Sequence, residues 1–184
     1  MARTYTIDPL HTRIGFAAKH MVVSTVRGQF NDYAATLEVE DENDPRTARL
    51  EVVIKTASID TGADDRDNHL RSDDFFNAEQ YPEIRFTSTS IDRRGPNEYR
   101  VTGDLTIRDV TKAVTLDAEV EGPITDPWGN ERVGVTLTGQ VNRFEWNLRW
   151  NAAIETGGLI VSDQIRIQVE AEFTSAPRPA QASQ

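Results

Sequence analysis

Hydrophobic and polar residues alternate along most of the chain with a period of two, the signature of strands with one dry and one wet face. The pattern is cleanest where Tyr99, Val101, Leu105 and Ile107 interleave with Arg100, Thr102, Asp104, Thr106 and Arg108. It recurs with Leu50, Val52 and Ile54, with Val114, Leu116, Ala118 and Val120, and with Val133, Val135, Leu137 and Val141. It closes with Ile165, Ile167, Val169, Ala171 and Phe173. Adding Thr4 to Ile7, Arg13 to Val22, Phe30 to Glu40 and Glu83 to Ile91 brings the total to about eight or nine strands, enough to close a sheet and remove its edges. Asp44-Pro45, Gly95-Pro96-Asn97, Asp109 to Lys112 and Asp126-Pro127-Trp128-Gly129 interrupt the pattern with turn chemistry. Such short links imply antiparallel neighbours.

Ala63 to Asn77 breaks the period: acidic residues crowd its beginning and β-branched residues are missing, which predicts a short helix over a barrel end. Asn142 to Trp150 predicts a second helical turn. Ser175 to Gln184, rich in proline, alanine and glutamine, predicts a disordered tail, leaving residues 1–174 as a single domain. The expected fold is all-β: an antiparallel barrel of about eight strands with one short helix covering an end.

Composition narrows the function. The chain of 184 residues contains no cysteine, which excludes disulfides, thiolate metal sites and cysteine nucleophiles. Its formal charge of −10 repels phosphate backbones and anionic lipid surfaces over a Debye length, so no nucleic-acid partner is expected. No stretch approaches the ~20 apolar residues of a membrane helix, and Met1 to Ile7 shows no signal-peptide core, so a cytoplasmic protein without stable membrane insertion is expected.

An eight-stranded barrel is just wide enough to be filled by side chains or to hold one small ligand. The inward set is rich in Val, Ala, Gly and Leu with few aromatics, which leaves volume, although a solid core or a sandwich shows the same periodicity. The candidate ligand-contacting walls are Ile14, Phe16, Ala18 and His20, Leu50, Val52 and Ile54, Phe86, and Val101, Leu105 and Ile107, with Phe75 and Phe76 beside the helix. Arg66 and Arg143 suit an anionic head group at the mouth or a neighbouring aspartate. Phe144, Trp146 and Trp150 either plug the barrel or line its mouth.

Catalytic constellations are weak: Gly-x-Ser-x-Gly, His-Glu-x-x-His, phosphate-loop and dinucleotide motifs are all absent. His20 shares parity with Ile14, Phe16 and Ala18, which suits a hydrogen-bonded core histidine or an acid or base against an enclosed substrate. Helical spacing stacks Asp65, His69 and Asp73, either as a weak metal site or as a solvated acidic face. No cofactor is expected.

The stretch Asp65-Arg66-Asp67-Asn68-His69-Leu70-Arg71-Ser72-Asp73-Asp74-Phe75-Phe76, followed by Tyr81-Pro82-Glu83-Ile84-Arg85-Phe86-Thr87-Ser88, resembles the YceI-like family of lipocalin-like, polyisoprenoid-binding proteins. Ile7-Asp8 with His11-Thr12, Lys19-His20, Gly28-Gln29-Phe30 and Gly103-Asp104-Leu105-Thr106-Ile107 extend the match, as do Thr111-Lys112, Asn142-Arg143 and Gly157-Gly158 before Asp163. The resemblance runs from Tyr5 to Phe173. It implies a lipocalin-like barrel whose apolar pore takes an isoprenoid lipid or isoprenoid-tailed quinone, in a protein that can be a homodimer. Asp109 and Asn147 stand where the pattern has glycine, and both residue types tolerate a left-handed backbone.

Three functions compete at this point. The first is a non-catalytic carrier, buffer or store of an isoprenoid lipid. The second is an enzyme using His20 on an enclosed apolar substrate, and the third a stress-related interaction module with a purely structural cavity.

Overall fold

The structure, a computed structural model, describes residues 2–152 and 160–177. It contains eleven strand segments: β1 (Arg3–Ile7), β2 (Arg13–His20), β3 (Ser24–Phe30), β4 (Tyr33–Val39), β5 (Ala48–Lys55), β6 (Ile59–Asp60), β7 (Glu83–Arg93), β8 (Glu98–Ile107), β9 (Val110–Thr125), β10 (Glu131–Asn142) and β11 (Val161–Ser175). One helix, α1 (Asp64–Arg71), lies between β6 and β7.

The segments form a closed antiparallel barrel of eight strands. The ring runs β1-β4-β5-β7-β8-β9-β10-β11 and returns to β1, which pairs with β11 through Thr6 opposite Thr174 and Ile7 opposite Phe173. After a bend at Pro9–His11, β2 carries the line of β1 onward along β11, and β3 in turn leads into β4. Two long strands are thus each broken at a bend, and the two-residue β6, paired with β3 through Asp60 opposite Gln29 and Ile59 opposite Phe30, is the third segment beyond the eight walls.

β3 is missing from the sequence reading because its period is poor: Thr25, Arg27 and Gln29 surround a lone Val26, and Gly28 stands where an apolar residue is expected. Gly28 is needed there by its neighbour. A Cβ at that position would lie 2.4 Å from Cζ of Phe16, whose ring covers it across the sheet. β2 is also shorter than Arg13 to Val22, because Met21 and Val22 turn into β3 with φ of 51° and 68°.

The helix is shorter than Ala63 to Asn77. Asp64, Asp65 and Asp67 in its first turn and His69 and Arg71 in its last complement the helix dipole, but Ser72 is extended and its hydroxyl donates to the His69 carbonyl. The second helical turn is a 3-10 turn, Arg143–Trp146, capped by Asn142, whose side chain accepts from the Phe144 N–H. Asn147 is left-handed as expected, with φ of 63°. At the β8–β9 turn the left-handed residue is Arg108, φ 55°, and not Asp109, because the two-residue hairpin places it one position earlier. The predicted tail begins later than Ser175, which still pairs with Glu131, while the Ala176 carbonyl accepts from Arg3. Residues 178–184 of that tail lie outside the described residues.

One barrel end is solid. Tyr5, Tyr99, Val101, Ala118 and Val133 are buried there, and the Tyr5 hydroxyl donates to Glu131 at 2.9 Å. Burial, then the Glu131 carboxylate, push the Tyr5 hydroxyl up to about 12. Among the described residues no helix is long and apolar enough to cross a membrane.

Candidate functional site

Toward the other end the barrel is hollow, with a cavity of about 540 Å³. Its walls hold the expected Ile14, Phe16, Ala18, His20, Leu50, Val52, Ile54, Phe86, Leu105 and Ile107, together with Phe75 and Phe76 beneath the helix. Val101 does not reach it: it lies in the solid end, where β8 begins. Strand parity fixes which face is inward but not how far along the barrel the packing closes, and that decides the fate of Val101.

Much of the wall belongs to strands whose alternation was already legible: Val114 and Leu116 on β9, Val135, Leu137 and Val141 on β10, and Ile165, Ile167, Val169, Ala171 and Phe173 on β11. Leu148, Trp150 and Ile160 also line it, from irregular segments for which no periodicity exists to read. Trp146 both plugs and lines: it is fully buried, borders the cavity, and donates its indole N–H to the Leu105 carbonyl at 2.9 Å.

Polar lining residues gather at the helix end: Lys19, His20, Thr61, Asp65, Arg66, His69 and Arg143. Side-chain bonds bolt the helix over this end. The Asp67 carboxylate, buried within α1, accepts from the main-chain N–H of Thr61 at 2.9 Å and from its hydroxyl. Arg71 donates to the Ala57 and Ile59 carbonyls at 2.8 and 3.0 Å, and Arg108 donates to the Asp73 and Phe75 carbonyls. Charge-assisted bonds of this kind contribute about 1.5–3 kcal/mol each.

The two arginines expected at the mouth both border the cavity, with guanidinium donors engaged within the protein. Arg66 donates to the Thr61 hydroxyl at 2.7 Å and its carbonyl at 2.8 Å, not to an aspartate. Arg143 is buried, and its guanidinium donates to four main-chain carbonyls, those of Leu148, Trp150, Val161 and Ser162. Burial pulls its pKa down, and Asp163 opposes the shift. The ring of Phe144 lies under the guanidinium at 4.9 Å. The four carbonyls come from two segments separated in the chain, Leu148 to Trp150 and Val161 to Ser162, so sequence spacing does not reveal the cradle.

The histidines separate by role. His20 is half-buried on the cavity wall, and its ring has no hydrogen-bond partner among the described residues, so it is not the hydrogen-bonded core histidine that parity suggested. His69 lies edge-on to Phe75 and Trp150, with Nε2 2.8 Å from Asp74. The stack of Asp65, His69 and Asp73 does not form, because the helix ends at Arg71 and Asp73 turns to Arg108 and Asn77.

His11 lies on the outer wall at the bend between β1 and β2. Asp8, His11 and Glu172 bring metal-ligating atoms within 4.8 Å of one another, but Arg132 donates to both carboxylates, at 3.2 and 2.8 Å. The guanidinium supplies the positive charge, and the group works as an ion-pair latch. The hydrogen bond to His11, ahead of those from the Leu10 N–H and Arg132, holds Asp8 below the usual carboxylate range. That same bond, then Glu172, raises His11. The His11 contribution is complete below its ordinary value near 6.5 and fades as pH rises through the raised value. The Asp8 contribution is complete above 3.8 and is lost as pH falls through its lowered value. The imidazole of His11 is therefore expected to titrate above 6.5 by NMR, and to fall back toward it in Asp8→Asn. A midpoint at or below 6.5 in the unmutated protein excludes the latch.

The sequence profile of the YceI-like domain matches residues 5–173. A UPF0312 protein of Photorhabdus laumondii is 42% identical over 151 residues, covering 81% of this chain and 78% of its own length. The crystal structure of the Campylobacter jejuni YCEI protein superposes with a TM-score of 0.75 at 34% identity, over 86% of this chain and 90% of that one. A polyisoprenoid binding domain from Saccharophagus degradans shares the fold, with a TM-score of 0.70 at 15% identity over 94% of this chain and 98% of its own.

Proposed function

We propose that this chain, which belongs to the YceI-like family, is a binding protein that holds the tail of an isoprenoid lipid or isoprenoid-tailed quinone in its barrel and carries, buffers or stores it unchanged. One observation carries the reading. The cavity is apolar along its length, closed at one end, and lined by polar side chains only where α1 covers it. That layout matches a long apolar tail with a polar head. The volume falls within the ~300–1,000 Å³ of small-molecule sites.

Affinity for a series of linear prenyl alcohols is expected to rise with chain length, by about 0.8 kcal/mol for each methylene buried, and then to level off when the cavity is full. Equal binding of short and long chains, read by isothermal titration, places the tail outside the barrel and defeats the reading.

The enzymatic alternative rests on His20, which touches the cavity without an orienting partner among the described residues. Acid-base catalysis needs a positioned group, and this ring is not held in one. His20→Phe is therefore expected to leave prenyl-alcohol affinity within about threefold, since no hydrogen bond to the ring is lost. A product formed from prenyl lipid by the unmutated protein and about 100-fold slower in His20→Phe makes the protein an enzyme instead.

A further inference from the structure

The tip of the β2–β3 hairpin combines features that the barrel itself does not need. Met21, Val22 and Val23 are 42%, 69% and 86% exposed, a run of three apolar side chains in water. Met21 and Val22 also hold left-handed backbone, with φ of 51° and 68°. The loop from His20 to Ser24 has three residues; such loops favour glycine where the backbone is left-handed, and a β-branched residue at positive φ is a conformational outlier. Fold stability alone disfavours valine here on both counts. Strain and exposure retained together point to a contact made by the tip.

The tip stands beside the open end of the cavity. His20, the residue before it, lines the cavity, and the Met21 N–H donates at 2.8 Å to the carbonyl of Ile160, another lining residue. The outer wall next to it is basic. Strand register sets Arg27 opposite Ala17 and Ala17 opposite Arg166, and Lys19, two residues on along β2, is exposed where it borders the cavity. None of Lys19, Arg27 and Arg166 has an ion pair among the described residues, in a chain whose net charge is −10.

Resting on the tail-binding reading above, we infer that the 21–23 tip is a docking element for the surface of an anionic lipid bilayer, through which the isoprenoid chain enters or leaves the cavity. A long prenyl chain is nearly insoluble in water, so its exchange is fastest where cavity mouth and bilayer meet. The three side chains suit shallow entry into the interface, and the cations beside them suit anionic head groups.

The test uses the full chain and vesicles of phosphatidylcholine with phosphatidylglycerol that carry a fluorescent geranylgeranyl lipid. Val22→Gly with Val23→Ser removes the apolar tip and relieves the left-handed strain, so the variant is expected to be at least as stable as its parent. Uptake of the prenyl lipid from vesicles is expected to slow by about tenfold or more, the scale set by losing two exposed valines from an apolar contact. Flotation with the vesicles should weaken in parallel. Arg27→Gln with Arg166→Gln should reduce flotation several-fold with phosphatidylglycerol present and leave it unchanged on pure phosphatidylcholine. Unchanged uptake and flotation in the Val22→Gly, Val23→Ser protein overturns the docking proposal. Farnesol binding in vesicle-free buffer separates the two ideas: the tip variant should bind it like the parent, whereas a parent that does not bind it defeats the cavity reading and leaves the flotation result standing.

Discussion

Replacing Arg143 with alanine is expected to lower the unfolding free energy by about 3–5 kcal/mol, a large share of the ~5–15 kcal/mol typical of a domain. The guanidinium spans the end of β10, the Leu148 to Trp150 segment and the start of β11, and four carbonyls accept from it. Alanine leaves those carbonyls without their donor, and an unsatisfied buried polar group costs about 1–3 kcal/mol. Part of the loss is offset because the charge no longer has to be kept out of water. Lysine retains the charge but presents one ammonium in place of a planar fork, so Arg143→Lys should recover less than half the loss. Urea unfolding measures both. A loss below about 1 kcal/mol for Arg143→Ala shows that the segments hold each other without the cradle.

The second large effect is on binding. Ala35 on β4 and Val135 on β10 are buried residues that border the cavity toward its closed end. Ala35→Phe combined with Val135→Phe places two rings in that space. Geranylgeraniol affinity is expected to fall about 100-fold or more, because each methylene excluded from the cavity forfeits about 0.8 kcal/mol. Geraniol, short enough to stay near the mouth, should lose far less. Filling a cavity also removes part of its energetic cost, so stability should hold or rise. Undiminished geranylgeraniol affinity in a folded double variant means that the tail does not occupy the barrel.

Alternation along the chain marked most of the strands, though neither β3 nor β6, together with their antiparallel succession and the inward face of nearly every wall. A period of two assigns a face to each residue, and a one-residue slip would turn a whole strand inside out. The walls around Ile14, Leu50, Phe86 and Leu105 were legible for that reason. The solid end, the length of the hollow, the bend that splits two long strands and the helix that stops at Arg71 were decided by packing between residues far apart in the chain. Gly28 makes the point: it weakens the local pattern of β3, and its reason is the ring of Phe16 on the next strand. Arg143 makes it more strongly, since its partners come from Leu148, Trp150, Val161 and Ser162 and are main-chain carbonyls that every residue possesses. Periodicity records which side chains avoid water, because burial acts on each residue separately. It carries no record of which distant polar groups meet, because only closure of the barrel brings those groups within hydrogen-bonding distance.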